Sequence, residues 1–228
     1  MKTENRSGGE GAAEVLCIPA LRGRLPDGGV PAGELADIVA EEGITVDVGI
    51  ADWHADYPYT PKVTATLAHD GDCLYSLFNV SERHLRVATL HDNGPVWEDS
   101  CVELFVADSD GRHYYNFEIN AAGVALASRR VSRTECEHFP PELMRRILRI
   151  SSRPMEKADK RDDNGVEWTL LVGIPFNLFA AERPETLRIN IYKCGDKTDT
   201  PHFLSWAPVN TPSPDFHRPE FFRQVRLL

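Results

Sequence analysis

The chain has 228 residues, a mass of 25.5 kDa and a formal net charge of −10. That length suits one domain of the larger all-β or α/β kind, or at most two small ones, and 42% hydrophobic with 26% charged residues is the composition of a chain that buries a core of its own. The acid excess argues against nucleic acid or an anionic membrane as partner, no apolar run nears the roughly 20 residues of a spanning helix, and five cysteines without a CxxC pair exclude a complete disulfide framework and weaken a zinc reading.

The first residues, MKTENRSGGEGAAE, hold no secretory apolar stretch and are expected to be loose to about Ala13, with a single domain following over residues 15–228. The missing leader and the reduced cysteines predict a cytoplasmic protein, or a secreted one if a leader has been removed. Val15–Ile18 is a short apolar run closed by Pro19. A helix is predicted over Pro31–Glu42: Leu35, Ile38 and Val39 share one helical face, Pro31 opens it and Gly43 stands just past its end.

Beyond the helix the period becomes two. Strands are predicted at Ile44–Val48, Val63–Leu67, Leu74–Val80, Val102–Ala107, Tyr114–Asn120, Val124–Ala127, Ile147–Ser151, Val166–Val172, Leu187–Tyr192 and Val225–Leu228. Turn signals separate them at Asp70–Asp72, Asp110-Gly111, Ala122-Gly123 and Asp163–Gly165. The polar run Glu156–Asn164 reads as an exposed hairpin loop. Many short strands with few helices predict an all-β antiparallel sandwich or barrel rather than a doubly wound sheet.

Two strands carry more than fold. In Tyr114–Asn120, Tyr115, Phe117 and Ile119 face one side and Tyr114, Asn116, Glu118 and Asn120 the other. The second row bears donors and acceptors on short side chains, suited either to a polyhydroxylated ligand or to a network between strands. In Ser100–Phe105, Glu103 shares a face with Cys101 and Phe105. A carboxylate so placed needs a partner, either an arginine such as Arg129 or Arg130 or a ligand.

Of the four tryptophans, Trp168 lies within an apolar strand and is expected in the core. Trp97 and Trp206 stand at strand edges beside proline and charge, where an indole offers a flat face to a ligand such as a sugar ring. Glu103 and Glu118 on neighbouring strands would also suit the two-carboxylate chemistry of a glycosidase, with Asp99 as another partner for Glu103. The eight histidines form no metal signature. Asp108–Gly111 begins like a calcium loop, but Ile119 stands where its closing acid belongs. No phosphate loop or nucleophile elbow is present, and Cys101 reads as packing.

Five strings occur in order: Val96–Phe105 (VWEDSCVELF), Tyr114–Asn120 (YYNFEIN), Asn190–Asp196 (NIYKCGD), Pro201–Trp206 (PHFLSW) and Pro214–Phe222 (PDFHRPEFF). Together they resemble the family 9 carbohydrate-binding modules, a branch of the DOMON-like sandwiches, over roughly Ile44–Leu228. The resemblance implies a two-sheet jelly-roll sandwich with one or two short helices, and non-catalytic binding of an oligosaccharide or polysaccharide such as xylan. Trp97 and Glu103 keep the family's six-residue step from indole to acid, and Trp206 stands for the second wall. Arg86, Arg129 or Arg130 stands for the family's arginine, with Asn116, Glu118 and Asn120 lining the same sheet. No cofactor is required, although the resemblance leaves room for structural calcium. The alternatives are a xylanase-like hydrolase using Glu103 with Glu118, and a haem or metal module, for which the internal methionines Met144 and Met155 are poorly placed.

Overall fold

A computed structural model of the chain describes residues 15–21, 31–107, 112–180 and 183–228. The N-terminal stretch expected to be loose and the Asp108–Gly111 turn lie outside the described residues.

In chain order the elements are β1 (Leu16–Ile18), α1 (Ala32–Glu42), β2 (Ile44–Asp47), β3 (Lys62–His69), β4 (Cys73–Val87), β5 (Cys101–Ala107), β6 (Tyr114–Asn120) and β7 (Ala125–Arg130). There follow β8 (Cys136–His138), the one-turn α2 (Pro141–Met144), β9 (Leu148–Ser151), β10 (Ala158–Pro175), β11 (Thr186–Cys194), β12 (Phe203–Ser205) and β13 (Arg223–Leu227). They form two sheets. One runs β1-β13-β11-β5-β6-β7-β8 with β12 joined to β11, and the other runs β2-β3-β4-β10-β9. Every pairing is antiparallel except β1 with β13, which is parallel. The expected β-sandwich is what the chain forms.

Alternation decides which side chains meet between the layers. Val102, Leu104 and Val106 of β5 and Phe117 and Ile119 of β6 pack with Val63, Ala65 and Leu67 of β3 and Leu170, Val172 and Ile174 of β10 in one continuous core. The intervening residues Tyr75, Leu77, Ala68 and Leu171 face the other way and bury Leu35, Ile38 and Val39 of α1. The helix thus caps the outer face of the five-stranded sheet, and it ends as predicted, with Gly43 N–H donating to Val39 O. Trp168 is buried between the layers.

One charged cluster crosses that apolar gap. Lys193 of β11 lies 2.9 Å from Glu82 of β4, both fully buried. Trp168 Nε1 donates to the other Glu82 oxygen at 2.7 Å, and Lys193 Nζ is 2.8 Å from His202 Nε2. Each polar group is held by another, which is the condition for charge inside a core.

The Glu156–Asn164 run is not a loop. Ala158–Arg161 extends β10 and pairs with His84–Val87, with an irregularity before Val166 resumes the register. The polar sequence hid a strand because this end of the ribbon carries exposed charges, among them Asp159 bonded to His84 at 2.8 Å. The short strands β8 and β12 were likewise absent from the sequence reading, being too brief to display a period.

Candidate functional site

The outer face of the eight-stranded sheet is unusual in what it buries. Glu103 of β5 stands directly opposite Glu118 of β6, and Tyr192 of β11 flanks Glu103 on its other side. Cys101 lies opposite Cys194, and Phe105 lies between Asn116 and Asn190. All share one face because cross-strand partners point the same way. The C-terminal segment folds back over this face: Phe216 stacks on Tyr192 with ring centres 4.1 Å apart, and His217 lies 5.1 Å from the Phe105 ring.

Between sheet and segment remains a cavity of about 230 Å³. Glu103, Glu118 and Cys194 line it from the sheet, Trp97 and Asp196 from the loops beside β5 and β11, and Arg130 and Arg133 from the β7 end. Phe203, Pro214, Asp215, Phe216 and His217 complete the lining. Trp97 sits on a single 3₁₀ turn and is 37% exposed, whereas Glu103 and Glu118 are each 3% exposed.

The carboxyls are held from the side. Asn116 Nδ2 donates to Glu118 Oε1 at 2.7 Å, and Arg130 Nε donates to Asn116 Oδ1 at 2.6 Å. Arg130 also reaches the carbonyl of Arg133 at 2.8 Å. Cys194 Sγ donates to Glu103 Oε1 at 3.0 Å. Burial, and then the neighbouring Glu118 charge, push the Glu103 carboxyl well above the usual range. Burial raises Glu118 to about 7 against the pull of Arg130 and Asn116. Asp196 is raised to about 6, by burial and then by Glu98. Burial, then Arg130 and Arg133, push His217 down to about 3, so its imidazole is neutral beside Tyr114 Oη at 3.1 Å. Two buried carboxyls whose pKa values are both raised can share a proton, and so can offer a donor and an acceptor side by side, as a vicinal diol requires.

Of the residues singled out in the sequence, Trp97, Glu103, Glu118 and Arg130 come together around this cavity. Asn116 stands behind it and orients Glu118. The others lie elsewhere. Arg86 pairs with the fully buried Asp99, which also accepts from Ala88 N, Thr89 N and Asn120 Nδ2 at 2.9, 3.0 and 3.0 Å. Arg86, Asn120 and Asp99 therefore build one structural knot that fixes the approach to β5. Arg129 is one residue out of phase: it pairs with Tyr115, whose face is the core side, and touches His113 at 3.0 Å. Trp206 does not line the cavity, and the guanidinium of Arg223 lies 5.3 Å over its ring. Strand parity could have separated Arg130 from Arg129. Arg133, Asp196, Phe203 and Asp215–His217 were missed as site residues, although most fall within the five strings, because only the fold carries them onto this face.

Calcium finds no match in the one group of three His, Cys, Asp or Glu donors gathered among the described residues, Cys101, Glu103 and Cys194. Two thiols are foreign to its all-oxygen shell.

The family model of carbohydrate-binding family 9 matches residues 36–227. A crystal structure from Bacteroides uniformis, of a protein ascribed to carbohydrate binding, is similar at 30% identity and a TM-score of 0.82, covering 94% of this chain and 97% of that one. A family 9 module from Caldicellulosiruptor kristjanssonii is similar in fold in its glucose complex, at 12% identity and a TM-score of 0.59 over 93% of this chain and 95% of that one. Its cellotriose complex gives 13% and 0.58, over 93% and 92%. No curated protein matches.

Proposed function

The chain belongs to carbohydrate-binding family 9, and we propose that it binds a single sugar residue of an oligosaccharide in the cavity over Glu103 and Glu118. The observation that carries this reading is the pair itself: two carboxyls directly opposed on neighbouring strands, buried, and lining a cavity with an exposed indole at its rim. A cavity of about 230 Å³ is below the roughly 300 Å³ at which pockets for drug-sized ligands begin, and suits one ring. Trp97 supplies the apolar face for the ring's C–H groups, and Glu103, Glu118, Arg130 and Arg133 bind its hydroxyls. On this reading Phe203 and Phe216 form the wall opposite Trp97, and Trp206 supports the fold. Further support comes from the glucose and cellotriose held by the structural neighbours.

Selectivity would follow from the buried pair. A ligand lacking the matching hydroxyls leaves the remaining hydrogen-bonding capacity of two desolvated carboxyls unmet, at about 1–3 kcal/mol each. Calorimetric titration with glucose, cello-oligosaccharides and xylo-oligosaccharides tests the reading. Binding to at least one is expected in the native chain, with its loss in Trp97→Ala at unchanged melting temperature. Unchanged affinity in that variant would sink the site.

A second reading rests on the same pair. Opposed carboxyls, one of them with a strongly raised pKa, are also the equipment of a glycosidase. Reducing-sugar release from xylan or cellulose that disappears in Glu103→Gln would establish it, and absence of release would leave binding as the function.

A further inference from the structure

We propose that Cys101, Cys194 and Glu103 form a site for one thiophilic divalent cation of the zinc class, set in the sheet beneath the cavity with its fourth coordination position open to it. The cysteines stand 93 positions apart in a chain without a CxxC pair, so nothing in their spacing suggests a metal. The strand register makes them neighbours. Cys194 of β11 is directly opposite Cys101 of β5, and Glu103, two residues on, points to the same face. The two Sγ atoms and a Glu103 carboxylate oxygen all lie within 4.8 Å of one another, with Cys194 Sγ 3.0 Å from Glu103 Oε1. A tetrahedral ion with bonds of about 2.3 Å to sulfur and about 2.0 Å to oxygen needs donors roughly 3.3–3.8 Å apart. The set is therefore within small side-chain movements of closure, on strands too firmly paired to drift.

Two further observations point the same way. Three protein donors leave a fourth position for an exchangeable ligand, and the cavity supplies both the opening and the way in, because Glu103 and Cys194 line it. Glu103 also faces Glu118, which accepts from Asn116 while Arg130 donates to Asn116, so the carboxyl beside the proposed ligand is fixed in place.

The site shares Glu103 with the saccharide reading and adjoins its cavity through Cys194, but it needs neither Trp97 nor a bound sugar. With Oε1 on the metal, the second Glu103 oxygen remains for a hydroxyl.

Cobalt(II) is the probe. The purified full chain, stripped with chelator under reducing conditions and titrated with Co²⁺, is expected to develop a sulfur-to-cobalt charge-transfer band and tetrahedral visible bands. These should saturate at one equivalent and be bleached by Zn²⁺. The bands should vanish in Cys101→Ser/Cys194→Ser and persist in Trp97→Ala, the variant expected to lose sugar, so the two readings fail separately. Absence of a charge-transfer band in the native chain overturns the proposal, whether or not the serine variant folds. So does a band that survives in the double serine variant.

Discussion

Glu103 and Glu118 face each other as direct cross-strand partners in the middle of a sheet, each 3% exposed, with Arg130 reaching Glu118 through Asn116 and Cys194 donating to Glu103. Two ionised carboxylates so placed would repel, and burial together with that repulsion pushes the Glu103 carboxyl well above its usual range. Replacing Glu118 with Gln keeps the bond from Asn116 within reach and removes the second carboxyl. We expect stability to rise by about 1 kcal/mol, read from urea unfolding, while sugar affinity falls about tenfold by calorimetry. A variant that binds as well as the native chain would take Glu118 out of the recognition set.

Asp99 accepts from Arg86, from two backbone amides and from Asn120, and is fully buried. Arg86→Ala would leave that carboxylate without its cation, so a loss of about 3 kcal/mol in stability is expected, with sugar affinity of the folded fraction unchanged. A large loss of affinity at unchanged stability would return Arg86 to the binding residues.

The Glu82–Lys193 pair joins the two layers, with Trp168 and His202 completing its bonds. Lys193→Met should cost about 3–5 kcal/mol by stranding Glu82, and adding Glu82→Gln should restore part of that loss. Chemical denaturation of the two single variants and the double variant measures the coupling. Strict additivity would mean that the pair contributes nothing as a pair.

His217 is held neutral in the folded chain, its pKa down to about 3 against 6.5 when unfolded. Between those values the unfolded chain takes up a proton that the folded chain refuses. The contribution is whole above about pH 6.5 and is lost as pH falls toward 3. The groups facing His217 are Tyr114 and Phe105, with the charges of Arg130 and Arg133 close by. Raised carboxyls such as Glu118 and Asp196 act with the opposite sign, so the measurement is a difference. His217→Gln should flatten the fall in stability between pH 6.5 and 4 by on the order of 1 kcal/mol. Parallel curves for the two proteins would refute the assignment.

Trp206 and Trp97 separate the roles of the two edge indoles. Trp206 is partly buried, packed against the core and covered by Arg223. Trp206→Leu is expected to lower the melting temperature by several degrees, about 1–2 kcal/mol, and to leave sugar affinity within twofold. An affinity lost with Trp206 would move the binding surface away from the cavity.

Local periodicity in the sequence was enough to determine the helix and most of the longer strands, with their faces. Alternation in Tyr114–Asn120 put Tyr115, Phe117 and Ile119 in the core and Asn116 and Glu118 opposite, and the same rule placed Glu103 with Cys101. The helix, with its Leu35–Ile38–Val39 stripe and Gly43 stop, was legible for the same reason: these signals lie within a few residues along the chain. What the sequence could not contain is which strand lies beside which, and in what register. That is decided by packing between distant segments. Register set Glu103 against Glu118 and Cys101 against Cys194, and the fold of the C-terminal segment brought Phe216 and His217 back over the sheet. It also turned the charged Glu156–Asn164 run into part of a long strand, because β4 was there to pair with it. Residue identity fixed what each side chain could do, and the tertiary arrangement fixed its partners, on which the chemistry of a buried carboxyl or thiol depends.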